Sequence, residues 1–262
     1  MADSLATLAR ADTTSSLPRL GGMARPDGIV IASDRFWAYA RVDGTVREGR
    51  MPRTPSSLGR LPLVRGLARL AASVTPLFRG SGVARRAERL ALALALVVPF
   101  GFVFLPERVG FAAGIALTGA LLAWLFRGRT RALHGAEHRA IAAVEERRLV
   151  ATWRDVARPT RFARRCGTNF AALVLPVAAI ADAAWPMSAT AVLTPVVVAL
   201  LSLALSMEIW RAVQASDRLA ARLLLLPGFG LQRLTTSEPT PAETRVALAA
   251  TASVLRRELA LD

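Results

Sequence analysis

Four long apolar blocks dominate the hydropathy pattern of the chain. They lie at residues 90–105, 109–126, 170–185 and 189–209. Each block is about 16 to 21 residues long, close to the roughly 20 residues that a helix needs to cross a bilayer. Short polar links, Pro106–Arg108 and Pro186–Ser188, separate the two members of each pair. The pattern predicts a mainly helical polytopic membrane protein with two transmembrane helical hairpins, over 89–127 and 170–210.

The arginines indicate the direction of these hairpins. All 34 basic residues are arginine, and only Arg108 lies in a link within a hairpin. Basic residues accumulate on the cytoplasmic side of membrane proteins. We therefore expect a multi-pass protein of the inner (cytoplasmic) membrane, with both termini and the helical 128–169 loop in the cytoplasm.

The N-terminal residues divide into three predicted segments. Residues 1–20 contain no continuous apolar run like that of a signal peptide, and we expect a flexible tail. Residues 21–54 combine β-branched and alternating runs with an Asp43-Gly44 turn, which predicts a small β unit with a hairpin. Such a unit needs a larger partner to be stable.

The 55–88 segment contains an amphipathic stretch over 57–75. Leu63, Leu67 and Leu70 share one helical face, with arginines towards the other side. This helix either packs on a protein core or lies in the membrane interface with its arginines at the lipid headgroups.

The 211–262 region is predicted to be cytoplasmic and helical. Its first helix continues from Arg211 to Leu226 and breaks at Pro227-Gly228. A second helix follows TSEPTPAE, where hydroxyl and acidic residues precede an apolar run as at a helix start.

The composition narrows the choice of partner. The formal net charge is +15, which suits nucleic acid or an anionic membrane surface. The apolar blocks favour membrane lipids with anionic headgroups over any specific nucleic acid. Cys166 is the sole cysteine, which excludes an intrachain disulfide and a cysteine-rich zinc module.

The candidate chemistry centres on the stretch LHGAEHRAIAAVEE, which holds both histidines of the chain. His134 and His138 lie four residues apart and share one helical face, with Glu137 beside them. Two imidazoles at this spacing can bind a divalent metal ion such as zinc or iron, and the carboxylate can bind it or act as a base. The order His-x-x-Glu-His is that of the inverted zinc peptidases. The alternative is a capping or hydrogen-bonded histidine pair at the membrane surface.

Three further residues are candidates for the same site. Glu145 shares the helical face but lies about 10 Å along the axis, where it binds a second ion, orients a ligand or is solvated. Cys166 is either a metal ligand, a catalytic thiolate favoured by nearby arginines, or a small buried residue. Glu208 lies at the inner end of the fourth block, where Arg211 is one turn away and can pair with it.

These motifs together resemble the YqhQ-type family of bacterial membrane proteins, whose function is unknown and whose members are thought to be metal-dependent enzymes. The resemblance covers almost the whole chain after the tail and rests on GGMARPDGIVIAS, LPLVRGLARL, HGAEHRAIAAVE, RCGTNF, MEIWR and PGFGLQRLTTSEP, in that order. It implies that the motif positions are His134, Glu137, His138, Glu145, Cys166 and Glu208. This chain departs from the family pattern at two positions. Ala163 stands where the family has a histidine three residues before the cysteine, and Asp27 stands where the family has a glutamate.

Two functions are compatible with these features. The first is a metal-dependent enzyme at the cytoplasmic membrane face, a hydrolase or transferase of a lipid-like substrate. In it His134 and His138 bind the metal, Glu137 is base or ligand, and Cys166 or Glu208 completes the site. The second is a non-catalytic membrane scaffold or assembly factor that binds anionic lipid or an acidic partner. Only the first requires both imidazoles to face one point.

Overall fold

A computed structural model describes residues 2–52, 60–78, 83–184 and 194–261. In the first half of the chain the elements are α1 (Ala2–Thr13), β1 (Gly21–Arg25), β2 (Gly28–Ala32), β3 (Phe36–Arg41), β4 (Val46–Arg50), α2 (Val64–Phe78), α3 (Arg86–Gly101), a 3₁₀ turn (Phe102–Phe104) and α4 (Glu107–Leu125). In the second half they are α5 (Thr130–Glu145), α6 (Leu149–Trp153), α7 (Gly167–Ala184), α8 (Thr194–Gln214), α9 (Leu219–Thr235) and α10 (Pro241–Glu258). The fold is mainly helical with a small N-terminal antiparallel sheet, as predicted.

The chain divides into two compact units. The first, which we call the sheet unit, contains Met1–Arg53, Leu125–Cys166 and Gln232–Asp262. The second, the apolar unit, contains Thr54–Trp124 and Gly167–Leu231. Segments that are far apart in the sequence therefore fold together in the sheet unit.

The sheet is an antiparallel meander in the order β1-β2-β3-β4. The predicted turn between β3 and β4 is present, because Gly44 adopts a positive φ of 88° and Arg41 donates its N–H to the carbonyl of Thr45. Helices α5 and α10 pack against the sheet and supply the larger partner that it needs. Ile31 of β2 and Leu248 of α10 are both fully buried in this core.

Helix α10 is the predicted second C-terminal helix, and it begins at Pro241, within TSEPTPAE rather than after it. The Thr240 hydroxyl accepts from the N–H of Glu243, and the Glu243 carboxylate accepts from the N–H of Thr240. This capping box satisfies two N–H groups that a helix start otherwise leaves without a partner.

The N-terminal residues differ from the prediction. A flexible tail over residues 1–20 is wrong for residues 2–13, which form α1 with Leu8 and Ala11 fully buried in the core of the sheet unit. The Asp12 carboxylate accepts from the N–H groups of Leu149 and Val150, at 2.9 and 3.0 Å, and so caps α6. Helix α1 is amphipathic but contains no continuous apolar run. The bond from Leu149, 137 residues farther along the chain, stabilises it.

The apolar unit contains nearly all of the four predicted apolar blocks, and their described residues are helical except Leu105 and Phe126, which end the first two blocks. Two of its described helices are long and apolar enough to cross a membrane, at Arg108–Leu125 and Val196–Gln214. The apolar part of α7, Gly167–Ala181, is shorter. The predicted link at 186–188 lies outside the described residues. The described residues therefore include two candidate spans of the four predicted crossings.

Helix α2 contacts α8 through Arg65 and Gly66. The Arg65 guanidinium donates to both carboxylate oxygens of Glu208 on α8, at 2.7 and 2.5 Å. Gly66 lies against Met207, so that an added Cβ would come within 2.7 Å of its side chain. Arg65 therefore pairs within the protein, whereas Arg69 of the same helix is exposed.

The start of the C-terminal region also differs from the prediction. A helix from Arg211 through Leu226 with a break at Pro227 is wrong, because α8 ends at Gln214 and α9 continues through Pro227 to Thr235. Ser216 accepts the N–H of Arg218 in the turn, which competes with helical hydrogen bonding. Pro227 lies on the exposed side of α9, and the helix continues through it without the N–H that proline lacks.

Candidate metal centre

Helix α5 places both histidines in the interior of the sheet unit. His134 and His138 are 8% and 2% exposed, and their ring centroids are 4.4 Å apart. Phe126 stacks on the His134 ring with a centroid distance of 6.1 Å. The predicted placement of the two rings on one helical face is confirmed.

Backbone carbonyls orient both imidazoles. Nδ1 of His134 lies 3.0 Å from the carbonyl oxygen of Thr235, and Nδ1 of His138 lies 2.6 Å from that of Arg161. A carbonyl only accepts hydrogen bonds, so each Nδ1 must carry the proton. The lone pair of each ring is then on Nε2, which is the arrangement found for histidines that bind metals.

Cys166 joins the two rings. Its Sγ lies 3.3 Å from Nε2 of His134. The ligand atoms of His134, His138 and Cys166 all lie within 4.8 Å of one another. In a tetrahedral zinc site, Zn–S and Zn–N bond lengths place sulfur and nitrogen about 3.5 Å apart. The three side chains therefore have the spacing of a metal-binding group.

The second histidine carries a buried acceptor that is not satisfied. Nε2 of His138 has no hydrogen-bond partner among the described residues, and the atom is inaccessible to solvent. A buried polar atom without a partner costs about 1 to 3 kcal/mol. A metal ion between the rings and the thiol would satisfy this nitrogen.

Burial also keeps both rings in the metal-binding protonation state. Desolvation lowers the pKa of His134, and it lowers the pKa of His138 to about 3 with a smaller contribution from the neighbouring His134. Both imidazoles are therefore neutral at physiological pH. A neutral His134 does not favour the thiolate form of Cys166 as an imidazolium would.

Two side chains hold the loop that carries the Arg161 carbonyl and Cys166. Gln232 of α9 is fully buried, and its amide bonds to both the N–H and the carbonyl of Ala163, at 2.9 and 2.8 Å. Arg139 of α5 donates to the carbonyl of Pro159 at 3.2 Å. Sequence reasoning missed both residues, although a glutamine on the buried side of an apolar helix was a possible signal.

Glu137 lies next to the histidines in sequence but contacts a different element. The N–H of Ala24 in β1 hydrogen-bonds to its carboxyl group, and a Cβ at Gly22 would approach Oε1 to 2.8 Å. Burial raises the pKa of Glu137 to about 8, so the group is protonated at neutral pH. It does not belong to the group of convergent ligand atoms. In the structure Glu137 links α5 to β1.

The other two predicted carboxylates also lie outside the ligand group. Glu145 is exposed and pairs with Arg165, in agreement with its distance along the helix axis. Glu208 belongs to the apolar unit, where it pairs with Arg65 and with Arg211. The predicted Arg211 pair is therefore present, at 3.5 Å.

One protein family matches the part of the chain that carries this site. Residues 127–257, half of the chain, match a family described as "Protein of unknown function (DUF1385)". The matched range includes His134, His138, Cys166 and Gln232. No curated protein and no solved structure matches the chain.

Proposed function

We propose that this protein, which belongs to the DUF1385 family, is a membrane protein that binds a divalent transition metal between His134, His138 and Cys166. We further propose that this centre catalyses a hydrolase or transferase reaction on a lipid-like substrate at the cytoplasmic membrane face. This agrees with the YqhQ-type resemblance of the sequence.

The unpaired Nε2 of His138 carries the proposal. A histidine pair with a purely structural role would have both Nδ1 and Nε2 hydrogen-bonded, since unpaired buried polar atoms are destabilising. Here the protein satisfies both Nδ1 atoms with carbonyls and directs the remaining lone pairs to the thiol side. A metal ligand role accounts for all three side chains.

The donor set favours zinc, with iron as the second choice. Two imidazoles and one thiolate suit a borderline-soft ion. Structural zinc sites have four protein ligands, whereas catalytic sites have three and keep one position for water or substrate. When bound, such an ion supplies a Lewis acid and an activated water. The protein supplies the orientation of the rings and a dry surrounding.

The position of the ligands along the chain supports chemistry close to a membrane. The candidate span at Arg108–Leu125 ends nine residues before His134, and Cys166 immediately precedes α7. With the distribution of arginines, this favours the multi-pass inner-membrane topology in which both termini and the site are cytoplasmic. Anionic lipid headgroups are the partners that the net charge of +15 suits.

A thiol–imidazole catalytic pair is a second candidate. The 3.3 Å distance between Cys166 Sγ and His134 Nε2 is compatible with proton transfer from the thiol. This reading gives no partner to Nε2 of His138, so the metal centre is the better account. A scaffold without metal also gives no partner to Nε2 of His138.

Metal analysis of the purified protein tests the proposal. The protein is prepared without a polyhistidine tag, and its metals are measured by mass spectrometry. We expect close to one zinc or iron ion per chain, lost in His138→Ala and Cys166→Ser. Glu145→Gln is the matched control on α5 and retains the metal. With cobalt, a thiolate charge-transfer absorption should appear in the wild-type protein and vanish in Cys166→Ser. Wild-type protein that stays metal-free with added zinc would reject the proposal.

A further inference from the structure

Within the part of the apolar unit that the structure describes, helix α9 has one buried side and one exposed side. Ala221 and Leu225 are 6% and 1% exposed, in a cluster with Val213 of α8. Gly228 lies so close to Asn169 that an added Cβ would come within 2.0 Å of its Oδ1. These contacts determine which side of α9 faces outward.

The outward side is a stripe of leucines. Leu219, Leu223 and Leu226 are 72%, 54% and 57% exposed. Their spacing of four and then three residues places them on one helical face, about opposite to Ala221 and Leu225. Single exposed leucines are ordinary, but an aligned set on a helix marks an interaction surface.

The charges around this stripe are basic. Arg218 precedes α9 and Arg222 lies beside the stripe, and both are exposed. No aspartate or glutamate occurs in α9, and Asp217 is the only acid in the turn before it. An apolar stripe with arginines at its edge is the pattern of a helix in the interface of an anionic membrane.

A cleft beside the start of α9 has the same mixed character. It has a volume of about 500 Å³ and lies between the end of α8 and the first turns of α9. Its apolar lining consists of Ala212, Val213, Ala215, Ala220, Ala221 and Leu224. Ser216 and Arg218 provide a hydroxyl and a cation at the same cleft. Small apolar walls with one cation are suited to an acyl chain that carries an anionic headgroup.

The chain connection limits how far α9 can lie from the membrane. Four residues separate the candidate span at Val196–Gln214 from the start of α9 at Leu219. The five steps from Gln214 to Leu219 reach at most about 18 Å when extended, a few times the thickness of one headgroup region. If α8 crosses the bilayer, the first turn of α9 must start within this distance of the hydrocarbon boundary.

We propose that α9 is an interfacial membrane helix and that the adjoining cleft binds an anionic phospholipid. The stripe of Leu219, Leu223 and Leu226 inserts among the acyl chains, and Arg218 and Arg222 bind the lipid phosphate. This inference rests on the proposed membrane attachment of the chain and is independent of metal binding.

Spin labels on the full-length protein in vesicles test the location of α9. The background is Cys166→Ser, since the experiment does not depend on metal. Leu223→Cys and Leu226→Cys probe the stripe, Ile115→Cys on α4 reports membrane insertion, and Arg154→Cys is an exposed control on the sheet unit. We expect labels at 223 and 226 to collide more with oxygen than with a water-soluble nickel chelate, as at 115, and the reverse at 154.

The other possible outcomes distinguish a failure of this inference from a failure of the proposed membrane attachment. Aqueous labels at 223 and 226 with a lipid-exposed label at 115 would overturn this inference and leave the membrane attachment intact. An aqueous label at 115 would overturn the membrane attachment itself. Dipolar broadening at 223 between two copies would show that protein covers the stripe, and would overturn the inference as well.

Lipid binding tests the cleft. Fluorescent phosphatidylglycerol is titrated into the detergent-solubilised protein, with inorganic phosphate as competitor. We expect Arg218→Gln with Arg222→Gln to weaken binding by about tenfold or more, since two phosphate-binding charges are removed. The control pair Arg148→Gln with Arg154→Gln should have little effect. Displacement of the lipid by millimolar phosphate, or equal binding of phosphatidylcholine, would contradict an anionic lipid site.

Discussion

His138 donates a 2.6 Å hydrogen bond from Nδ1 to the carbonyl oxygen of Arg161, 23 residues farther along the chain. This contact fixes the tautomer of the ring and leaves Nε2 as an acceptor in the interior. The carbonyl lies in the same loop as Cys166, so a loop conformation that orients the second histidine also brings in the thiol. The metal centre therefore depends on the residues that hold this loop.

Gln232 is expected to affect metal affinity without touching the metal. Its amide bonds to both backbone groups of Ala163, between the Arg161 carbonyl and Cys166. Gln232→Leu should weaken zinc binding by about 10- to 100-fold, as losses of supporting contacts do at metal sites. Competition with a zinc chelator measures the affinity, and circular dichroism checks the fold. Arg233→Gln, at the exposed neighbouring position, is the control. An equal loss of zinc affinity in that variant would contradict a positioning role for Gln232.

Metal binding at mildly acidic pH should release few protons. Ordinary imidazoles, with a pKa near 6.5, would both be largely protonated at pH 5.5 and would release protons with the thiol. Because burial brings the pKa of His138 to about 3, this ring is already neutral at pH 5.5 and releases no proton, and burial also lowers the pKa of His134. We therefore expect fewer protons per zinc ion than the roughly three that two ordinary imidazoles and the thiol would release. Calorimetry in buffers of different ionisation enthalpy counts the protons, and a value near three would contradict a neutral His138.

Glu137 should make the sheet unit less stable as the pH rises. Burial raises its folded-state pKa from 4.5 to about 8, so its contribution is fully present below 4.5 and is lost as the pH rises through 8. Glu137→Gln cannot ionise and retains the acceptor for Ala24. The free energy of unfolding of the variant should equal that of the wild type near pH 5 and exceed it by a few kcal/mol at most near pH 8.5.

Unfolding curves of both proteins across this pH range measure the effect. Thermal melting of the detergent-solubilised protein, followed by circular dichroism, gives the difference between the two at each pH. Glu145→Gln, an exposed position on the same helix, is the control and should follow the wild type. Parallel curves for wild type and Glu137→Gln would show that Glu137 ionises freely in the folded protein.

The proposed topology predicts the location of four reporter fusions. Fusions after Gly128 and at the C-terminus should be cytoplasmic, whereas fusions near Arg108 and Met187 should be external. The physical reason is the distribution of arginines, of which 33 of 34 lie outside the links within the hairpins. An external C-terminus would contradict the model of four crossings.

The local features of this protein could be predicted from its sequence alone. The Asp43-Gly44 turn, the start of α10 at Thr240 and the shared face of His134 and His138 depend on residues within one turn of each other. Backbone geometry and side-chain spacing specify such features before any packing occurs. The apolar blocks likewise predicted helices. Two of the described helices are long and apolar enough to be candidate membrane spans.

Only the tertiary structure decided which side chains meet. Cys166 reaches His134 across 32 residues, the carbonyl of Thr235 reaches it across 101, and Asp12 caps a helix 137 residues away. Glu137, adjacent to His138, instead contacts β1 and leaves the ligand group. The helical period places neighbours one residue apart about 100° around the axis, so a carboxylate beside a ligand faces another element. The contacts of the 161–166 loop and of the Gln232–Thr235 end of α9, which no local pattern encodes, brought a cysteine rather than a glutamate to the two histidines.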